Sequence, residues 1–479
     1  MELHQRLLLS AALLLAAASA AAADFDNLAR LSARGALVTA TVWDLDADKP
    51  VAQLTPSQRL TPASLSKVFV AAAALDTWTP DKTFATELRG VGAPTNGTLA
   101  GDVILRSEGD ATLDETTLWA LAAQLRAQGV KHITGRVLVE RAPFGELSCD
   151  TIDRCNGMRR SNRAYNAAPS AIGVNYGSWC ISVRAPAGAN RATVGGCASG
   201  ELPIPLTGNV RIAANGPALS IDRNTDEHGD RITVSGTIGP GEERMVHRAM
   251  SDPAAGTGQL LRSILLQTGV VVDGGVETTI VVGNAPQLLA RVDGLLLQEQ
   301  VGRMMRWSNN YIADVLTMGI ALARNGVAPL SLADAARQLP AILRSDCCSD
   351  AANSPVMESG SGLTVSNLLS AQDLVDTLRH EYHDPRRFPA FYGSFVVPRD
   401  AAFDYLKKGS DDWLDRVALK TGSLSEPISV NGIAGFMRKK NGGFMAFAII
   451  VNGSGRTQVA AADALGAARA DLTALLARY

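Results

Sequence analysis

Apolar and small or polar side chains alternate over Leu37-Val38-Thr39-Ala40-Thr41-Val42-Trp43, a turn-rich stretch follows over 44–50, and the strand pattern resumes at 51–54. This predicts a β-hairpin. The next stretch opens on the polar Ser64-Leu65-Ser66-Lys67 and continues over 68–75 with residues apolar on every helical face. It predicts a helix buried on all sides. From about 81 to 282 the pattern breaks into short strands punctuated by Gly, Pro and Asn, with an amphipathic helix over 116–128. Helical periodicity returns over 293–323 and 365–382, followed by strands over 416–421, 430–438 and 444–451. The last two are joined by Lys439-Lys440-Asn441-Gly442-Gly443, whose Asn-Gly step favours a tight hairpin. Residues 459–479 carry Asp463, Arg469, Asp471 and Arg478 among alanines and leucines, which predicts an amphipathic helix. The first hairpin and the last strands can then share one antiparallel sheet with helices packed on it, interrupted in the chain by a long strand-rich insertion.

The N-terminal segment places Arg6 before the apolar run from Leu7 to Leu15 and a small-residue tail, Ser19-Ala20-Ala21-Ala22-Ala23. That is the layout of a secretory signal peptide over 1–23, with cleavage near Ala23, and the apolar run falls short of the roughly 20 residues that span a bilayer. No later stretch is long and apolar enough to span, so no integral membrane anchor is expected after cleavage. Export makes disulfides the expected state of the cysteines. Cys149 with Cys155 and Cys180 with Cys197 would each close a short loop, while the adjacent Cys347 and Cys348 leave their pairing open.

Length and charge narrow the function. The chain of 479 residues exceeds one ordinary core, so two or three domains are expected. A hydrophobic fraction of 46% with 19% charged residues excludes disorder for most of it. Lys+Arg at 45 against Asp+Glu at 47 gives a net charge of -2, which lacks the basic footprint of a nucleic-acid binder. Nine of those 45 basic residues are lysines, so a lysine inside a motif is informative.

Two of the nine sit in candidate catalytic motifs. Ser64-Leu65-Ser66-Lys67 sets a hydroxyl at a helix start and an amine three residues on, one turn apart on one face. An amine freed of its proton can act as base to such a serine, and helix N–H groups suit a developing oxyanion. Ser308-Asn309-Asn310 offers a hydroxyl and a carboxamide between two helical stretches; its structural alternative is an N-cap for a helix beginning at Tyr311. Lys420-Thr421-Gly422, followed by Ser423, ends a strand with a cation, a hydroxyl and a glycine that permits close approach of a ligand. With so few lysines its chance expectation is roughly 0.05, which makes it the most specific of the three. His380-Glu381-Tyr382-His383 lacks the spacing of a zinc protease, so no metal and no cofactor are expected.

In this order the three motifs resemble the signature of penicillin-binding proteins and serine β-lactamases. The long gap between Lys67 and Ser308 is similar to the insertion of low-molecular-mass class C penicillin-binding proteins, the D-alanyl-D-alanine carboxypeptidase/endopeptidase (DacB-type) family. Gly109-Asp110-Ala111-Thr112-Leu113, Tyr165-Asn166-Ala167-Ala168-Pro169-Ser170 and Gly360-Ser361-Gly362-Leu363 also resemble stretches of that family.

The resemblance implies an α+β fold: a catalytic domain of the penicillin-binding/serine β-lactamase type over 24–85 and 288–479, interrupted by one or two inserted domains over 86–287. It implies a periplasmic serine peptidase acting on peptidoglycan D-Ala-D-Ala stem peptides, as carboxypeptidase and in some cases endopeptidase, and acylated by β-lactams. Ser64 is then the nucleophile, Lys67 its base and Ser308 a proton relay. Asn310 would hold the substrate amide, and Lys420 with Thr421 the terminal carboxylate. Gly422 would permit close approach, and the N–H groups of Ser64 and Ser423 would form the oxyanion hole. A serine β-lactamase and a non-catalytic cell-wall-binding protein are the alternative readings.

Overall fold

The computed structural model describes residues 24–147, 156–158, 161–198, 200–214, 216, 218–280, 287–342, 354–455 and 457–479. The expected signal peptide over 1–23, the Cys149–Cys155 pair, Cys347 and Cys348 lie outside them. The chain divides into two compact units. The first takes the residues up to Pro80 together with Val301–Asn309 and Ala333–Tyr479, and the second takes Asp81–Gln300 with Asn310–Leu332.

In chain order the first unit contains α1 (Asp26–Ala33), β1 (Leu37–Asp44), β2 (Lys49–Leu54), α2 (Ser66–Thr77), α3 (Ala371–Tyr382), β3 (Val417–Leu424), β4 (Val430–Arg438), β5 (Phe444–Asn452) and α4 (Ala461–Arg478). The strands form one sheet in the order β3-β4-β5-β1-β2. Every pairing in it is antiparallel. The β1–β5 register, from Leu37 opposite Asn452 to Asp44 opposite Met445, joins the start of the chain to its end. Alternation along these strands gives the sheet an apolar face: Val38, Val42, Ile433, Phe447, Ile449 and Val451 are buried with Leu472, Leu475 and Leu476 of α4. Residues 66–75 of α2 are all buried, as expected for a helix apolar on every side.

Helix α3 begins at Ala371, six residues later than periodicity suggested, because Ser370 and Asp373 form a capping box. The Asp373 N–H donates to Ser370 Oγ (3.0 Å) and the Ser370 N–H to the Asp373 carboxylate (2.9 Å). Ahead of this stop the chain runs as a loop, with Leu368 and Leu369 bridging to Val356 and Leu60.

Among the described residues the second unit carries a five-stranded sheet in the order Val276–Thr279, Val137–Glu140, Val103–Ser107, Ala85–Gly90, Gln287–Asp293. The helix expected over 116–128 is Glu115–Ala127, started by Asp114, whose carboxylate accepts from the Thr117 N–H. A second helix, Pro253–Gln267, was not legible. Its glycines weaken both propensity and periodicity, yet Gly258 is where Val139 and Val276 press in, each 2.6 Å from where a Cβ would lie. Further strands include the antiparallel Ala218–Asp226 and Gly229–Ile238 pair and the sheet of Glu243–Ala249, Ser178–Arg184 and Thr193–Gly196. Cys180 and Cys197 form the expected disulfide. Next to Cys180, the indole N–H of buried Trp179 donates to Asp230 (2.8 Å).

Candidate active site

Ser64 sits in a 3-10 turn, Ala63–Leu65, that runs directly into α2. Ala63 holds φ +48, in the left-handed region that a non-glycine residue rarely adopts, so the backbone is strained next to the hydroxyl. One turn on, the fully buried Lys67 donates from Nζ to Ser64 Oγ (2.9 Å) and to the Ser361 carbonyl (2.6 Å). Ser361 belongs to the turn Gly360-Ser361-Gly362-Leu363. Gly362 has φ +73, and a Cβ there would lie 1.9 Å from the Ala63 carbonyl oxygen. Only glycine lets this turn close against the strained residue before Ser64.

Ser308 lies between the helices Leu297–Trp307 and Asn310–Asn325 with φ +53, a second non-glycine residue in the left-handed region. It does not stand at the helix start; Asn310 begins that helix, one residue before the Tyr311 that the motif suggested. Lys420 Nζ donates to Ser308 Oγ (2.9 Å) and to the Thr421 carbonyl (2.6 Å). Lys420 is 2% exposed, and removal from water pushes its ammonium down to about 7. The first unit thus holds two serine–lysine pairs, Ser64 with Lys67 and Ser308 with Lys420.

Strand geometry connects the motifs. Gly422 on β3 faces the Ser64 turn, where a Cβ would lie 2.6 Å from the Pro62 carbonyl, and a Cβ on Gly432 of β4 would lie 2.8 Å from Leu65. These two glycines let the turn rest on the sheet. β3 is the sheet's edge strand, and Leu419 exchanges both backbone hydrogen bonds with Val396 on the outer side (each 2.9 Å). With a period of two, the N–H and C=O of Thr421 and Ser423 also point to that outer side. Beside the strand a cavity of about 360 Å³ is lined by Thr421, Gly422 and Ser423, by Ile433 and Ile449 of the sheet, and by Leu465 of α4.

Asn310 is described with the second unit, where its side-chain amide donates to the Tyr165 carbonyl (3.1 Å). In the same unit Tyr311 donates its hydroxyl to the Ser170 carbonyl (3.1 Å), so the stretch 165–170 is tied to the start of helix Asn310–Asn325. Among the described residues, no group of three or more His, Cys, Asp or Glu side chains is placed to hold a metal ion. His380 lies 3.2 Å from Arg387 instead.

Asn367 was not singled out from the sequence. It is fully buried and fastens the 358–361 turn to α2, and a lone Asn in a loop carries no signal that distinguishes it.

The model of the D-Ala-D-Ala carboxypeptidase 3 (S13) family matches residues 21–475. The chain belongs to the S13 family. A D-alanyl-D-alanine carboxypeptidase of Actinomadura sp. (strain R39) is 29% identical over 456 residues, covering 90% of this chain and 80% of that protein. The D-alanyl-D-alanine carboxypeptidase DacB of Haemophilus influenzae is 25% identical over 442 residues, covering 89% and 88%. The crystal structure of penicillin binding protein 4 (dacB) from Haemophilus influenzae superposes with a TM-score of 0.74 at 22% identity, over 92% of this chain and 97% of that one. The S13 chain therefore has the α+β penicillin-binding fold that its motif order implied.

Proposed function

We propose that this S13 protein is a serine-type D-Ala-D-Ala carboxypeptidase that works through an acyl-enzyme at Ser64. The observation that carries the reading is the Lys67 Nζ–Ser64 Oγ contact of 2.9 Å at the head of a buried helix. In its free-amine form Lys67 takes the Ser64 proton as Oγ attacks the carbonyl carbon of the penultimate D-Ala. The N–H groups of Ser64 and Ser423 receive the oxyanion; the outward direction of the Ser423 N–H on the edge strand supports that role. When the C–N bond breaks, the leaving D-alanine nitrogen receives its proton through Ser308, and water then hydrolyses the ester to free Ser64.

Lys420 and Thr421 take the terminal carboxylate, and a bound carboxylate offsets the desolvation of the Lys420 ammonium. Gly422 keeps the strand open to the ligand, and Asn310 holds the substrate amide. The same acylation on a cross-linked stem peptide, with a D-amino-acid side-chain amine as leaving group, is endopeptidase cleavage. β-Lactams acylate Ser64 by the same attack; the Haemophilus influenzae relative has been solved in complex with a novel β-lactam. In this reading 24–85 and 288–479 make the catalytic domain and 86–287 the insertion. Residues 1–23 direct export to the periplasm, and no helix among the described residues is long and apolar enough to cross a membrane.

Fluorescent penicillin tests the reading together with D-alanine release from a stem pentapeptide. Covalent label and release are expected from the wild type, and neither from Ser64→Ala. Rapid turnover of a cephalosporin without D-alanine release would show a β-lactamase instead.

A further inference from the structure

Beside its contact with Ser64, Lys67 donates to the Ser361 carbonyl, which lies in a loop outside the helices and strands of the first unit. Asn367 also joins this loop to α2. Asn367, fully buried, accepts at Oδ1 from the N–H groups of Glu358 (2.7 Å) and Ser359 (3.2 Å). Its Nδ2 donates to the Ser359 carbonyl (2.7 Å) and to Ser66 Oγ (2.9 Å). An asparagine amide has two donors and an oxygen with two lone pairs, so all four are used. Three bind the 358–359 backbone into a fixed turn; the fourth fastens that turn to Ser66, the residue immediately before Lys67. Within the turn, Ser359 Oγ and Ser361 Oγ are 2.7 Å apart, which carries the clamp to the residue whose carbonyl meets Lys67.

A neutral primary amine has two N–H bonds and one lone pair. When one N–H is held by the Ser361 carbonyl, the torsion about the terminal C–N bond is restricted, and the lone pair can be held toward the Ser64 hydroxyl hydrogen. Loss of that carbonyl removes one restraint on the amine, and a smaller share of its orientations accepts the proton.

We propose that Asn367 is a positioning residue for acylation: it holds the Ser361 carbonyl against Lys67 and thereby orients the amine toward Ser64. The inference rests on the reading of Lys67 as base to Ser64.

The test is saturation kinetics of acylation by fluorescent penicillin, separating the acylation step k2 from the pre-covalent constant K, in wild type, Asn367→Ala, Ser66→Ala and the double variant. Asn367→Ala should lower k2 by about 10- to 100-fold, the scale on which misplacement of a catalytic group acts, with K within twofold. Labelling should still run to full stoichiometry. Ser66→Ala breaks one of the four bonds and leaves the turn intact, so it should lower k2 less, and the double variant should be no worse than Asn367→Ala alone.

A merely structural role predicts instead a reduced labelled fraction with the remainder reacting at the wild-type k2. That outcome overturns the proposal, as does a k2 within twofold of wild type. If Asn367→Ala fails to fold, Ser66→Ala carries the test: a k2 equal to wild type overturns the proposal, and a reduced k2 with K unchanged supports it. The underlying reading fails separately, by Ser64→Ala taking label or Lys67→Ala acylating at the wild-type k2.

Discussion

Lys420→Met keeps an unbranched side chain of similar reach and removes an ammonium that is 2% exposed. Burial pushes the proton affinity of Lys420 down to about 7 from 10.5. Between those values the unfolded chain holds the proton and the folded chain does not, so the unfolded state binds more protons and stability rises with pH across the window. Below pH 7 both states are protonated and the full penalty of a buried charge applies. Worked from 10.5 and about 7, this one group adds about 2 kcal/mol of stability between pH 7 and pH 9. The variant lacks that increment. At pH 7 it should also be the more stable protein, by the desolvation relieved less about 1 kcal/mol for each lost hydrogen bond, to Ser308 Oγ and to the Thr421 carbonyl.

Hydrogen exchange on peptides from β4 and β5 reads the first unit by itself, and comparing variant with wild type at one pH cancels the intrinsic exchange rate. The wild type should gain about 2 kcal/mol more than the variant from pH 7 to pH 9. Acylation by penicillin should move the other way, falling about 10- to 100-fold in the variant with loss of the cation proposed to meet the carboxylate. Equal pH slopes in the two proteins would refute the argument that Lys420 is strained by burial.

Four further outcomes are expected. Gly362→Ala should lower the penicillin acylation rate at least about tenfold, because its φ of +73 and a Cβ 1.9 Å from the Ala63 carbonyl force the Ser361 turn away from Lys67; an unchanged rate would show that the turn tolerates the shift. Lys67→Arg, which keeps a positive charge that cannot act as a base, should abolish acylation while leaving the melting temperature within a few degrees. Glu381 is fully buried with no hydrogen bond to either carboxylate oxygen, and burial raises it to about 8 against an opposing Arg387. Its folded value lies above the unfolded 4.5, so its contribution is full below pH 4.5 and lost as pH rises through about 8. Glu381→Gln should therefore stabilise the protein at pH 8 by on the order of 1–3 kcal/mol, measured by urea unfolding, and have no such effect at pH 4. The Cys180→Ser/Cys197→Ser pair opens a loop of sequence separation 17 and should destabilise the second unit by about 3 kcal/mol, seen as a lowered calorimetric transition with penicillin labelling retained.

Several of these positions differ in how far they could be foreseen. Ser64, Lys67, Ser308 and Lys420 stood out as candidates because each falls in a short motif whose chemistry constrains residue type and spacing, and the structure pairs each lysine with a serine. Ser361 stood out only inside a stretch similar to the family's and Asn367 not at all, since the first contributes a carbonyl, which any residue has, and the second acts through four hydrogen bonds to neighbours distant in pattern. The suppressed proton affinity of Lys420 was equally hidden: it follows from how completely the folded chain excludes water, which a strand-end lysine does not announce.

Local order set much of the fold. The hairpin of β1 and β2, the all-apolar α2, the strands β3 to β5 and the amphipathic α4 follow from side-chain periods of 2 and 3.6, which depend only on residues a few positions apart. Helix Pro253–Gln267 and the late start of α3 escaped the same reading, one because glycines chosen for close packing dilute the period, the other because a capping box outranks it. The pattern allowed the first hairpin and the last strands one sheet, but tertiary structure alone decided their order and register and which motifs rest on them. The β1–β5 pairing joins positions separated by some four hundred residues, and Gly422 and Gly432 let the Ser64 turn settle on β3 and β4. Periodicity states which face of an element is buried; it is the mutual exclusion of water by two such faces, and the absence of a Cβ where backbones must touch, that selects the partner.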